Sequence, residues 1–284
     1  MQRNQKYLIV GALALLITIL VIGKEVNPNK KINTPATTTS SQDNHDHKEL
    51  SFNQILNKSK ESISATQTQK LALLENLASQ TGDAQLHSLH QLAKFWRDSA
   101  KIFAPYAFYN AQIAKLENSE KSLTFAAQQF IDELLINSDP TYQHWLAGEA
   151  EVLLNKILSI NPKNDSATIA LGACYMLGGL HNNNPMQFIL PVREIANKNA
   201  NNLYAQQILG LGGRKSGQYD KAIERFLIIA KAQPDNIGAT INLAECYELS
   251  NKKTEAIEWY KKTKALLKDD AIKKEIDKRI VALQ

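Results

Sequence analysis

The pattern of hydrophobic and polar residues divides the chain into three parts. Residues 7–23 form an unbroken apolar run, residues 24–50 are almost entirely polar, and from residue 51 onward apolar side chains recur at intervals of three and four. That spacing is typical of amphipathic α-helices. The pattern therefore predicts an apolar segment that leaves water, a polar tether, and a helical region that contains the core.

The apolar run from Tyr7 to Gly23 predicts a transmembrane anchor that follows a short tail, residues 1–6. It contains no charged side chain, and a helix of this length spans about 25 Å. Arg3 and Lys6 before the run would also suit a cleaved signal peptide, which would release a soluble repeat protein. Because no A-x-A-like site and no lipidation cysteine follow the run, we expect an uncleaved anchor, and the signal peptide is the alternative.

The charges that flank the anchor bear on its orientation. Arg3 and Lys6 precede it, while Lys24, Lys30 and Lys31 follow it. Since a short basic tail normally stays in the cytoplasm, we expect a single-pass protein with a cytoplasmic amino terminus and the bulk of the chain in a bacterial periplasm. Residues 24–50 are rich in Pro, Thr, Ser and Asn, which predicts a flexible linker. The sequence His45-Asp46-His47 in this linker is interpreted as a solvated polar run and not as a metal site.

Residues 51–137 are helical by period, but they fit no repeat. Apolar stripes here include Leu71, Trp96 and Phe130. With breaks expected near Gly82 and Pro105, they predict about four helices. The segment is either an amino-terminal packing module or a set of degenerate repeats.

The second half of the chain repeats itself every 34 residues. A unit that begins at Leu203 has a counterpart at Ile237, and an earlier one begins at Asp165. The shared positions in these units are Leu209-Gly210, Ala222, Phe226 and Pro234 in the first, Leu243-Ala244, Ala256 and Tyr260 in the second, and Leu171-Gly172 in the third. The spacing from Asp165 to Leu203 is four residues too long, which predicts an enlarged loop around residues 181–185. Phe188 then falls where a small residue is expected.

This register resembles that of tetratricopeptide repeats, a family of paired antiparallel helices. The resemblance implies an all-α fold, a TPR-like α-α superhelix that follows one transmembrane helix and a disordered linker. We place the repeats at residues 138–268 and a capping helix at residues 269–284. It also implies a concave groove lined by the first helix of each unit. The groove residues expected from the family's positions are Ile169, Ala173, Met176 and Leu177, then Tyr204, Gln207, Leu211, Arg214 and Lys215, then Ile241, Glu245, Glu248 and Leu249.

Composition narrows the chemistry that the chain can perform. The chain has 33 basic and 28 acidic residues, a mixed surface with a net charge of +5, which does not indicate a nucleic-acid partner. Cys174 and Cys246 occupy the same position in two units and lie too far apart to form a disulfide. The pair His87 and His90 lacks further ligands, and no catalytic motif occurs, so we expect no metal, no cofactor and no enzymatic activity.

The function that follows is that of a membrane-anchored scaffold, an envelope assembly factor or chaperone-like adaptor that binds proteins or peptides in its groove. The adjacent Arg214 and Lys215 suggest that the groove attracts an acidic segment, although basic residues are also favoured at a helix end by the helix dipole. An enzyme with a site in residues 51–137 is the alternative from another functional class.

Overall fold

The computed structural model describes residues 50–78, 83–180, 184 and 186–284. The predicted tail, anchor and signal peptide, nearly all of the linker with His45-Asp46-His47, Gly82, and most of the loop at residues 181–185 lie outside the described residues. Within the described ranges, no helix combines the length and the apolar character needed to cross a membrane.

The described residues form thirteen α-helices and one π-helical segment. The helices are α1 (Phe52–Glu61), α2 (Ala65–Ala78), α3 (Asp83–Lys94), α4 (Phe103–Glu117), α5 (Glu120–Ile136), α6 (Pro140–Ile160), α7 (Asp165–Leu177), α8 (Met186–Lys198), α9 (Leu203–Lys215), α10 (Tyr219–Ala232), α11 (Ile237–Leu249), α12 (Lys253–Leu266) and α13 (Asp270–Leu283). The π-helical segment Phe95–Ala100 continues α3.

Consecutive helices pack in pairs, and the pairs stack along the chain. The clearest pairs are α5 with α6, α9 with α10, and α11 with α12, and each first helix also contacts the pair before it. The part of the chain that the structure describes is therefore all-α, with the paired arrangement of tetratricopeptide repeats. Helices α7, α9 and α11 begin at the three residues predicted as unit starts.

The same capping residue begins the first helix of each unit. Asn164, Asn202 and Asn236 each accept a hydrogen bond at Oδ1 from the backbone N–H three residues later, at 2.9 to 3.1 Å. An asparagine in this position satisfies one of the free N–H groups of a helix start and stabilises the helix by about 1 kcal/mol. The asparagines therefore set the helix starts on which the repeat register depends.

The turn inside each unit also repeats its conformation. Gly179, Gly217 and Asn251 occupy the same position in their units, and their φ angles are +68°, +74° and +58°. Glycine adopts this left-handed conformation without steric cost, and asparagine tolerates it better than most other residues. The unit that begins at Asp165 thus keeps its standard turn residue and enlarges its loop only afterwards.

Small and large side chains interlock between the two helices of a unit. An added Cβ at Gly210 would lie 2.8 Å from Cζ of Phe226, so α9 and α10 touch where the register placed small residues. Ala222 is buried and its neighbour Lys221 is exposed, which confirms the predicted phase.

In the unit that begins at Asp165, the sizes of the interlocking side chains are exchanged. Phe188 takes the place of the small residue and stacks on Tyr175, with 3.4 Å between the ring centroids. Val192 then stands where an aromatic residue is expected, and it packs over Gly172. The exchange occurs at the position where the register expected a small residue and the sequence has Phe188.

The amino-terminal part departs from the prediction in two respects. The described residues between 52 and 136 form five α-helices where about four were expected. Pro105 lies in the first turn of α4 and not between helices, because proline is tolerated there. The real break is at Lys101, which has a left-handed conformation at the end of the π-helical segment. The predicted boundary at 137/138 falls between α5 and α6, which pack as one pair.

Both cysteines are buried and unpaired, as predicted. Burial raises the pKa of Cys246 to about 12 and moves the pKa of Cys174 in the same direction. Both side chains therefore act as packed thiols in the core.

Candidate functional site

The concave side of the helix stack contains a cleft between the end of α5 and the helices α9 and α11. Two adjoining hollows, of about 100 Å³ and about 340 Å³, share Leu135, Leu211 and Arg214 in their walls. The smaller hollow extends along α11, past Ile241 and Asn242. The larger one extends under the turn between α5 and α6. We call the two hollows together the cleft.

The cleft exists because α5 reaches over the repeats that follow it. Helices α5 and α6 have 17 and 21 residues, whereas α9 and α10 have 13 and 14. Next to the long α5, α7 presents small side chains such as Ala170 and Ala173, so that Leu135 of α5 and Tyr204 of α9 both pack on the same buried cluster. The curvature of the stack therefore brings α5 close to α9 across α7.

This closure buries several residues that were expected to line the groove. The exposed fractions of Ile169 and Ala173 are 1% and 0%, and both pack in a core formed by α7, α8 and α9. Leu177 and Ile241 are buried as well. Ile169 and Ala173 are therefore unavailable to a ligand, whereas Leu177 and Ile241 are largely buried but still form part of the walls of the cleft.

The remaining groove residues lie at or near the cleft. Leu211, Arg214 and Gln207 line it directly, and Met176 and Tyr204 are partly buried beside Leu211. Leu249 is exposed at the edge of the larger hollow. The structure thus brings the α9 residues together with the end of α5 and with Leu177 of α7, while Ile169 and Ala173 lie in the core.

The two basic residues proposed to attract an acidic segment are already engaged within the chain. Arg214 donates to the carboxylate of Glu245, and Nζ of Lys215 donates to the carbonyl oxygen of Leu177. Burial lowers the pKa of Lys215. Burial also raises the pKa of Glu245, while the neighbouring Arg214 acts in the opposite direction. Neither Arg214 nor Lys215 therefore presents a free positive charge, because internal acceptors in the neighbouring helices hold both side chains. The attraction of an acidic segment stays a prediction.

A second ion pair occupies the equivalent position one unit further along the chain. Here the carboxylate lies on the earlier helix and the guanidinium on the later one, the reverse of the pair Arg214 and Glu245. Arg279 of α13 donates to Oε2 of Glu248 at 3.1 Å, and the hydroxyl of Tyr260 donates to the same oxygen at 2.5 Å. The partners in each pair are 31 residues apart, so the twelfth residue of one unit meets the ninth residue of the next helix layer. Between α7 and α9, Met176 is the twelfth residue of its unit and packs next to Gly212, the tenth residue of the next unit. We call the two ion pairs and this apolar contact the interlayer ladder.

Two amide side chains supply hydrogen-bonding capacity inside the apolar cleft. Nδ2 of Asn242 donates to the carbonyl oxygen of Gly238 at 2.7 Å, while its Oδ1 is buried and has no partner among the described residues. Gln207 lies across the smaller hollow from it. A peptide group of a ligand could donate to Oδ1 of Asn242, since a buried acceptor without a partner carries a cost of about 1–3 kcal/mol.

No pattern in the sequence indicated the contribution of α5. Leu135 and Ile136 line the cleft, but α5 could not be aligned with the repeat and its reach depends on the curvature of the whole stack. Asn242 was noticeable in the sequence only as an asparagine near the groove positions.

The two histidines of the amino-terminal region lie on the surface. His87 and His90 are exposed, and Nε2 of His90 lies 4.0 Å from Oε1 of Glu117. Across the described ranges, no three His, Cys, Asp or Glu side chains cluster closely enough to hold a metal ion.

Comparison with known proteins gives matches only among solved structures. No family model and no curated protein matches the chain. MamA from Desulfovibrio magneticus RS-1 is 16% identical with a TM-score of 0.43, and the match covers 66% of this chain and 97% of that one. A tetratricopeptide repeat protein from Parabacteroides merdae is 15% identical, with a TM-score of 0.32 and coverage of 79% and 99%. The TPR domain of P58(IPK) is 12% identical, with a TM-score of 0.29 and coverage of 70% and 65%. At these values the assignment of the repeats rests on the helix pairing and the register described above.

Proposed function

We propose that this protein is a membrane-anchored scaffold that binds an extended segment of a partner protein in the cleft. The observation that carries the proposal is the combination of apolar walls, such as Leu135 and Leu211, with the unpartnered Oδ1 of Asn242. An extended peptide matches both features of the cleft. Its side chains can fill the apolar hollows, and its backbone N–H groups can donate a hydrogen bond to the Oδ1 of Asn242. The protein has no catalytic role in this proposal.

A selection of random peptides displayed on phage tests the binding function. The full chain is held in lipid nanodiscs, and empty nanodiscs remove peptides that bind lipid. We expect a recurring set of peptides, whose synthetic versions bind with a dissociation constant that fluorescence anisotropy can measure. Gln207→Trp should fill the smaller hollow and weaken this binding at least about tenfold, because a filled hollow excludes the ligand.

Lys221→Trp is the matched control, since Lys221 is exposed on α10. Circular dichroism should show the same helix content for both variants and the native chain. If both variants bind the selected peptides as the native chain does, the cleft is not the binding site.

The anchor and its orientation belong to the same proposal and require their own experiment. The unbroken apolar run and the short basic tail support an uncleaved helix at residues 7–23 with the repeats in the periplasm. Extraction of membranes with carbonate should leave the chain in the pellet, and amino-terminal sequencing should start at Met1. Protease added to spheroplasts should digest the repeats. A mature chain that lacks residues 1–23 in the soluble fraction would support the alternative of a released repeat protein.

A further inference from the structure

The charged groups around the cleft are not equally available to a ligand. Arg214, Lys215 and Arg279 are held by acceptors of the protein itself, in each case on a neighbouring helix. These contacts leave the apolar cleft without a free cation among the residues that line it in the described structure. An acidic ligand would have to compete with an internal acceptor for each of them.

Unlike Arg214 and Arg279, the carboxylate Asp132 has no oppositely charged partner within the described residues. It lies on α5 one turn before Leu135 and is exposed. Its Oδ1 accepts a hydrogen bond from Nε2 of Gln128 at 2.7 Å, and no Lys or Arg among the described residues forms an ion pair with it. Asp132 therefore carries a charge that no internal cation balances.

The helix register places Asp132 on the same face of α5 as Leu135 and Ile136, which line the cleft three and four residues further on. Its hydrogen-bond partner Gln128 lies one turn earlier on that face and lines a small hollow with Ser166 and Ala170 of α7. Asp132 therefore lies one turn from the wall of the cleft. The surrounding protein raises the pKa of Asp132 through desolvation, although its side chain is exposed. A carboxylate in such partly desolvated surroundings gains more from a cation than one on an open surface.

We infer that the cleft selects a lysine or arginine close to an apolar residue in the bound peptide, with Asp132 as the carboxylate that receives the cation. The inference rests on the proposed function and adds the chemistry of the ligand. Asp132 and Leu135 are separated by about 4.5 Å along the helix axis. An extended peptide advances about 6.6 Å over two residues and returns its side chains to the same face. The basic residue and the apolar residue should therefore stand two positions apart.

The phage selection described above also tests this inference when it is repeated on two variants of the full chain. Peptides selected on the native chain should be enriched in Lys or Arg two positions from Leu, Ile, Phe or Met. Asp132→Asn keeps the shape of the side chain and should weaken the binding of these peptides about five- to tenfold, as loss of a single partly desolvated ion pair would. The control Glu224→Gln removes an exposed carboxylate from α10 and should leave both the affinity and the enrichment unchanged.

Three other outcomes would overturn the inference, and they separate it from the proposed function. Peptides that bind in the cleft and lose binding on Gln207→Trp, but carry no excess of basic residues, would leave the binding function standing and remove the role of Asp132. An equal loss of affinity on Asp132→Asn and Glu224→Gln would indicate a general effect of net charge. A selection that returns no peptides from the native chain would contradict both proposals.

Discussion

The repeats α9 to α12 and the amino-terminal helices α2 to α5 solve the same packing problem in different ways. In the repeats, small residues such as Gly210 and Ala222 let helices of 13 and 14 residues approach, and one aromatic residue per unit, such as Phe226, fills the remaining space. In the amino-terminal region, Trp96 is fully buried beside Phe95 at a π-helical segment, and the helices differ in length. The comparison shows that helices can pair without a sequence repeat. The positions of the pairs, however, can be predicted from the sequence only where the sequence repeats.

Removal of Trp96 should have the largest effect and would test whether the two regions unfold separately. Trp96→Ala leaves a large cavity and should lower the free energy of unfolding by about 3–5 kcal/mol. Native-state hydrogen exchange of the full chain should show the loss of protection in α2 to α4, with α9 to α12 unchanged. Equal loss in both regions would show that they form one cooperative unit.

The next largest effect should come from the buried ion pair of the interlayer ladder. Arg214→Met leaves Glu245 without its main cation and should destabilise the chain by about 3 kcal/mol near neutral pH. Burial raises the pKa of Glu245 and Arg214 acts against that rise, so the removal of Arg214 raises this pKa further, and the folded variant takes up a proton more readily than the folded native chain as the pH falls. The destabilisation should therefore shrink between pH 7 and pH 5, as measured by urea unfolding of the variant and the native chain at each pH.

The double variant Arg214→Met with Glu245→Gln is the control for that titration. It has no carboxylate to protonate at this position, so its stability relative to the native chain should change much less over the same pH range. A pH dependence equal to that of the single variant would assign the effect to another group.

Overpacking between α9 and α10 should have a moderate effect. Ala222→Leu inserts atoms at a fully buried contact and should destabilise by about 1–3 kcal/mol, whereas Lys221→Leu at the exposed neighbouring position should change stability little. Thermal unfolding followed by circular dichroism gives both values. Similar melting temperatures for the two variants would contradict the register.

The smallest expected effect concerns the turn position that the units share. Asn251→Gly should raise stability by a few tenths of a kcal/mol up to about 1 kcal/mol, since glycine adopts the left-handed conformation more easily. Gly217→Ala should destabilise by about 1 kcal/mol at the equivalent position. Changes of the same sign in the two variants, measured by chemical denaturation, would show that the two turns are not equivalent.

The sequence was sufficient to predict the repeats because their information is local and recurs. Asn202 and Asn236 cap helices at the predicted unit starts, and the enlarged loop and the misfit of Phe188 followed from counting residues. The cleft could not be predicted in the same way. Leu135 packs against the cluster that buries Ile169 and Ala173, although it is more than thirty residues away from them in sequence. Likewise, Arg214 looked like a free cation because Glu245 belongs to the next unit.

The interlayer ladder also limits how this gene could have grown or could be extended by duplication of a unit. A second copy of the unit that begins at Ile237, inserted directly after the original, would bring Glu248 against a duplicated Glu245, and two carboxylates would meet where the present chain has a carboxylate and a guanidinium. A second copy of the unit that begins at Leu203 would bring Arg214 against Leu211 and leave its charge unbalanced. The charges of the ladder therefore disfavour duplication of either unit, because the added layer would place a carboxylate or a guanidinium opposite a residue that cannot balance its charge.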